Sequence, residues 1–173
     1  MATLVLDPAP AELGALVERR RRCGLDRFDE VWEGVLHMIP APSFEHAGIT
    51  SQLMELLGPP ARAAGLIPTM GGFNLGQSES DYRVPDGGLH RPGASGVWLP
   101  TAALVVEVIS PGDETYDKLR FYARHDVDEV LIVDPGERTV EWRALAAGSY
   151  ERTERSGVIE LGAAELGREI DWP

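Results

Sequence analysis

Cysteine is almost missing from this chain: Cys23 is the only one in 173 residues. A lone thiol excludes an intrachain disulfide and a thiolate metal cluster, and it fits a reducing cytoplasm. Long apolar runs are missing too. None approaches the length needed to span a bilayer. The opening stretch MATLVLDPAPAEL lacks a basic start and a long apolar core, so no secretory leader is expected. Positive charge is scarce, with 16 Lys+Arg against 28 Asp+Glu and a formal net charge of -12. That balance favours solubility. It argues against loose, sequence-independent nucleic-acid binding driven by overall charge, while leaving room for a local basic patch. Repeats and low-complexity linkers are absent. The remainder, 43% apolar and 25% charged, is an ordinary soluble composition, long enough for one domain over 1–173 with a real core.

The chain is organised around Leu104–Lys118, LVVEVISPGDETYDK. Its first half is short, mostly β-branched and closed by Ser110-Pro111-Gly112, the signature of a buried strand. Glu107 stands inside it. A buried charge is costly unless it is paired or binds a metal, so Glu107 needs a partner from elsewhere. Past the turn, Asp113 can cap a helix, and Asp113-Glu114 suit its positive end. That helix carries Lys118, Leu119, Phe121 and Tyr122. A carboxylate on a strand and a lysine on the next helix can then converge at the sheet edge.

Upstream, Pro10 to about Arg22 reads as a helix ending in Arg19-Arg20-Arg21-Arg22. The four arginines suit a helix C-terminus in water; the alternative is a phosphate-contacting patch. Phe28–Met38 reads as a β-hairpin turning at Glu33-Gly34. Ser43 is a candidate N-cap for a helix burying Ile49, Leu53, Leu56 and Leu57, with Gly58-Pro59-Pro60 expected to break or kink it. Leu66–Met70 and Phe73–Gln77 read as strands about Gly71-Gly72. Tyr82–Leu89 reads as one strand with Pro85-Asp86 in its middle, which suggests an edge, a bulge or a distortion. The two glycines after Asp86 suggest either backbone held open for a ligand or a plain turn. Val130–Val133 reads as a buried strand. Thr139–Leu145 and Ser149–Thr153 read as a solvent-side hairpin bearing Trp142 and Tyr150, and Ala163–Pro173 as a helical turn with an extended end.

Asp86 and Glu107 thus fall on neighbouring strands, with Lys118 on the following helix. Two facing carboxylates repel unless a cation lies between them, and an oxygen-loving Mg²⁺ or Mn²⁺ is the natural solution. Such an ion polarises a phosphoryl oxygen, and a lysine beside it can orient water or balance charge on phosphorus. In outline this is a phosphodiester-hydrolysing site.

The ordered set of motifs resembles the Uma-two family of restriction endonucleases, a branch of the PD-(D/E)XK nuclease superfamily. The matching pieces are Glu30 and Gly34 in FDEVWEGVLHM, Pro42-Ser43 and His46 in APSFEHAGI, and Pro85-Asp86. They continue with Glu107-Val108-Ile109-Ser110-Pro111, Lys118, Tyr122 and VDEVLIVDP, so that the resemblance spans about Phe28 to Arg143. It implies an α/β (α+β) fold: a restriction-endonuclease-like mixed sheet flanked by helices, with an added hairpin. It implies that Asp86 and Glu107 hold Mg²⁺ or Mn²⁺ and that Lys118 completes the catalytic set. Glu30, His46 and Tyr122 would support it, Tyr122 by packing over the lysine or by touching substrate. The superfamily lysine usually lies two residues beyond the second acid, where this chain has Ile109, so Lys118 stands in for it from the helix. Glu114 would be an extra ligand or a helix-start charge. The expected substrate is nucleic acid, with DNA preferred, and a homodimer would ease cleavage of both strands. The rival expectations are a catalytically degenerate module that binds nucleic acid or a protein, and an oligomerising domain whose Trp98, Leu99, Trp142 and Trp172 mark a dimer face.

Overall fold

The computed structural model describes residues 4–6, 13–112 and 114–173. Asp113, with its capping role, and the start of the first predicted helix lie outside them. The chain runs β1 (Leu4–Leu6), α1 (Gly14–Arg22), β2 (Glu30–Trp32), β3 (Val35–Met38), α2 (Phe44–Ala63), β4 (Ile67–Met70), β5 (Asn74–Ser78) and β6 (Asp81–Arg83). It continues with β7 (Gly87–His90), β8 (Trp98–Leu99), β9 (Leu104–Val108), α3 (Thr115–Arg124), β10 (Glu129–Asp134), β11 (Thr139–Ala146), β12 (Ser149–Thr153) and α4 (Ala163–Glu169). Two mixed sheets result, ordered β1-β3-β2-β6-β5-β8 and β12-β11-β10-β9-β7-β4. Among the described residues, no helix is long and apolar enough to cross a membrane.

The second sheet carries the core, and the alternation of β9 decides its layering. Leu104, Val106 and Val108 point toward α2, where Ile49, Leu53, Leu57 and Ala61 recur every fourth residue along one helical stripe. Each buried leucine there contributes on the order of 2 kcal/mol. Val105 points the other way, onto Phe121 and Tyr122 of α3. Glu107 has the parity of Val105, so the strand itself turns its carboxylate toward α3. Parallel pairing of β9 with β10 sets Ile132 beside Glu107.

One predicted strand takes a different form. Tyr82–Leu89 is two strands in different sheets: β6 pairs β5 in the first, β7 pairs β4 and β9 in the second. Val84-Pro85-Asp86 is the crossing between them, where proline's missing N–H costs no ladder bond. The chain also crosses at Gly71-Gly72, both at positive φ (92° and 85°), and Gly71 N–H donates to the Asp86 carbonyl (3.0 Å). The glycine pair after Asp86 is neither a turn nor backbone opened for a ligand. A Cβ on Gly88 would lie 2.8 Å from the Phe73 ring and 3.0 Å from the Leu104 carbonyl, so close packing requires glycine.

Other expectations are corrected as well. Pro59 and Pro60 do not break α2, which runs on to Ala63 with Leu57 and Ala61 fully buried on either side of them. Trp142 is wholly buried under α4 instead of lying on a solvent-side hairpin. Trp172 packs against the same core, and Trp98 pairs through β8 with β5, so the tryptophans form no common face. Gly88→Ala is expected to destabilise the protein by about 1–3 kcal/mol through overpacking, lowering Tm on the order of 5 °C, as read by thermal unfolding.

Candidate functional site

The hairpin brings the first acid. Glu33 and Gly34 both take positive φ (52° and 90°), the two-residue turn that matches strand twist, and this sets Glu30 opposite His37. Glu30 is fully buried. Its Oε1 accepts the Val84 N–H (2.8 Å) at the sheet crossing, and its Oε2 accepts the Trp32 indole N–H (2.6 Å). Asp86 ends that crossing. Because Gly87 pairs with Val106, extending the antiparallel register by one step sets Asp86 across from Glu107. Asp86 Oδ2 accepts the Val108 N–H (2.8 Å), and Oδ1 accepts from His46 Nε2 (2.9 Å). His46 Nδ1 lies 3.1 Å from the Ser110 hydroxyl. Ser43 caps α2 by accepting the His46 N–H (3.2 Å), which fixes the first turn that carries the imidazole.

Lys118 arrives from α3. Its ammonium lies 3.0 Å from Glu30 Oε1 and 3.3 Å from both oxygens of Glu107. Tyr122, one turn further and fully buried, donates its hydroxyl to Glu107 Oε1. It sits beneath the site, bound to the acid, and not where a substrate could touch it. Burial pushes the Glu107 carboxyl up to about 8; Lys118 opposes this, Asp86 and Glu30 add to it, and the Tyr122 hydroxyl opposes it. For Lys118, burial works against the charge, yet Glu107, Glu30 and Asp86 outweigh it and hold the ammonium above its ordinary value. The electrostatic logic is one cation among three acids.

Five of the six residues singled out in the sequence, Glu30, His46, Asp86, Glu107 and Lys118, line one pocket of about 390 Å³, and Tyr122 supports it from below. Sequence reasoning undervalued Glu114. Its carboxylate lines the pocket and pairs with His37 Nδ1 (3.1 Å), whose ring stacks on Trp32 at 4.2 Å. The signal was present: a two-residue turn at 33–34 sets residue 37 opposite Glu30. Arg83 was also missed. Its buried guanidinium lies between the Trp32 and Phe121 rings (4.3 and 4.0 Å) and holds α3 against the hairpin.

The pocket offers hard oxygen donors. Among the described residues no three His, Cys, Asp or Glu form a ready-made metal cage. Two carboxylates are what Mg²⁺ ordinarily takes from a protein, with water and phosphate oxygens completing its shell. Each Asp86 oxygen keeps a lone pair beyond its present bond, and the excess of acid over cation around Glu107 is the imbalance that a divalent ion would relieve.

A crystal structure described as that of a "putative nuclease belonging to DUF820 from Anabaena variabilis ATCC 29413" is similar to this chain, with a TM-score of 0.66 and 15% identity over 82% of this chain and 90% of that one. At that identity the likeness shows the fold. No curated protein matches significantly. A family model described as "Uma2: Putative restriction endonuclease" matches residues 23–170, which contain every residue of the pocket. The chain belongs to that Uma2 family.

Proposed function

We propose that this protein is a metal-dependent endonuclease that hydrolyses phosphodiester bonds, with DNA as its substrate, working as one domain. The carrying observation is the convergence of Asp86, Glu107 and Lys118 in one pocket from the sheet crossing, β9 and α3. Asp86 and Glu107 would hold Mg²⁺ or Mn²⁺. The ion supplies Lewis-acid charge at the scissile phosphate. Lys118 would keep a positive charge beside the same phosphate, and would orient the attacking water with an N–H released from Glu30 or Glu107. Glu30 and Tyr122 hold Lys118 and Glu107 in place, and His46 fixes the rotation of Asp86. Cutting both strands calls for two such sites, so a homodimer accompanies this reading.

A second reading has one observation in its favour. Lys118 is already bonded to Glu30 and Glu107, the state of a catalytically degenerate module that binds nucleic acid or a protein without cleavage. Plasmid nicking with Mg²⁺ or Mn²⁺, with and without EDTA, separates the two. Nicking is expected with metal and none with EDTA. Asp86→Ala should lower it by at least about 100-fold, the upper end of what residues merely supporting a metal site cost. An active Asp86→Ala protein would remove these acids from the mechanism.

The pH dependence has a definite sign. Below about 8 the Glu107 carboxyl keeps its proton, which an incoming cation must displace. Metal affinity measured by calorimetry should therefore rise with pH, about tenfold per unit between roughly pH 6 and the Glu107 pKa, and level above it. Close to one proton should be released per ion in the lower range. Affinity that does not change across that range would contradict metal binding at Glu107.

A further inference from the structure

We propose that the groove beside the site, walled by Arg19 and Arg20 of α1, holds the sugar–phosphate backbone flanking the scissile phosphate. The identity of the polymer rests on the nuclease reading above; the groove rests on its own geometry. The site pocket is a poor anchor for a polyanion. Glu30, Glu45, Asp86, Glu107 and Glu114 line it, against Lys118 and His46. A bound divalent ion would serve one phosphate, and the phosphates on either side need cations elsewhere.

A second cavity, of about 490 Å³, supplies them. Arg19, Arg20, Cys23, Leu25, Ile39 and Pro40 are among its walls, and no carboxylate lines it among the described residues. Ile39 and Pro40 also line the site pocket, so the two hollows adjoin through a shared wall. That wall is pinned. Arg20 forks onto Asp29 (2.6 and 3.1 Å), and Asp29 Oδ1 accepts the Ile39 N–H (3.0 Å), one residue before Glu30 in the chain. Arg20 is thereby committed to the fold and cancels the nearest acid. Arg19 and Arg22 remain exposed, and helical spacing sets Arg19, Arg22 and Cys23 on neighbouring positions of one face. The helix dipole explains why a cation is welcome at this C-terminus. It does not explain an adjoining hollow without acids, leading to a phosphoryl-transfer pocket. Exposed arginines beside such a hollow are suited to phosphate oxygens, which position a duplex without reading its sequence.

Cys23 provides a reporter, being the chain's only cysteine and exposed in the groove. The probe is a short synthetic DNA duplex in EDTA, with binding followed by fluorescence anisotropy across a salt series and Cys23 labelling followed with a maleimide. Saturating duplex should slow labelling several-fold. The double variant Arg19→Ala/Arg22→Ala should lower the magnitude of the log-affinity against log-salt slope by about 1.8, near 0.9 per lost phosphate contact. Arg168→Ala on α4 should leave the slope unchanged. A duplex that binds the wild type but keeps the same slope in the double variant, or leaves Cys23 labelling at its free rate, overturns the proposal. So does a wild type that binds no duplex. Mg²⁺-dependent plasmid nicking, run in parallel, decides the nuclease reading separately: nicking without the slope change removes only the groove, and the slope change without nicking removes only the hydrolysis.

Discussion

The Lys118 ammonium is where the two sheets meet. Glu30 belongs to the first sheet through β2, Glu107 to the second through β9, and α3 carries the amine that bonds both. Removing one member of a buried ion pair costs about 3–5 kcal/mol, because the survivor is left charged in a poor solvent. The cluster is therefore self-enforcing: each group fixes the position of the others. Well-packed apolar residues would commonly be as stable or more so, so stability alone is a weak reason for three acids and a lysine to share this space. The crossing segment adds to the constraint. Its Val84 N–H is spent on Glu30 and its Asp86 carboxylate on the Val108 N–H, so the backbone passing between the sheets is held by the acids it helps to assemble.

What was legible in the sequence was local. The short β-branched run LVVEV, closed by Ser110-Pro111-Gly112, located β9 and the odd charge within it. Ser43 announced α2, and Glu33-Gly34 announced the hairpin turn. These signals are short-range, set by backbone sterics and by one face of burial. What was illegible was long-range. Tyr82–Leu89 reads as one strand because its extended pattern runs straight through Pro85; only pairing with β5 on one side and β9 on the other divides it between two sheets. Gly87-Gly88 looked permissive, whereas the neighbours that require glycine, Phe73 and Leu104, lie fifteen or more positions away along the chain. Trp142 looked exposed on a hairpin until α4 covered it. Glu107 could be singled out from the sequence because a buried carboxylate must have a partner, but which of the chain's 16 Lys+Arg supplies it is a long-range fact.

Net charge and local charge answer different questions. A formal charge of -12 describes the far field, screened beyond roughly 10 Å at ordinary ionic strength. Within that distance local groups decide, and the acid-lined pocket and the arginine-walled groove differ in the sign of the side chains that line them. Concentrated acid is what a divalent cation requires, and it is the opposite of what a nucleic-acid backbone requires. Under the proposed function the two must lie apart yet adjacent, and Ile39 and Pro40 form a wall shared by both hollows.

The position of the lysine follows from strand parity. Residues 105 and 107 share the face of β9 that looks toward α3, and Ile109, just past the strand, packs into the apolar cluster there with Val105 and Phe121. A lysine at 109 would point to the same side as Glu107, but its amine would start from the second sheet alone. Carried on α3, the amine of Lys118 comes down over the site and reaches Glu30 of the first sheet as well as Glu107. An apolar residue thus stands just past the strand, where packing favours one, and the charge sits on a helix whose Phe121 is held toward Trp32 by Arg83. Only an element lying over both sheets can hand a single cation to each, and α3 is that element.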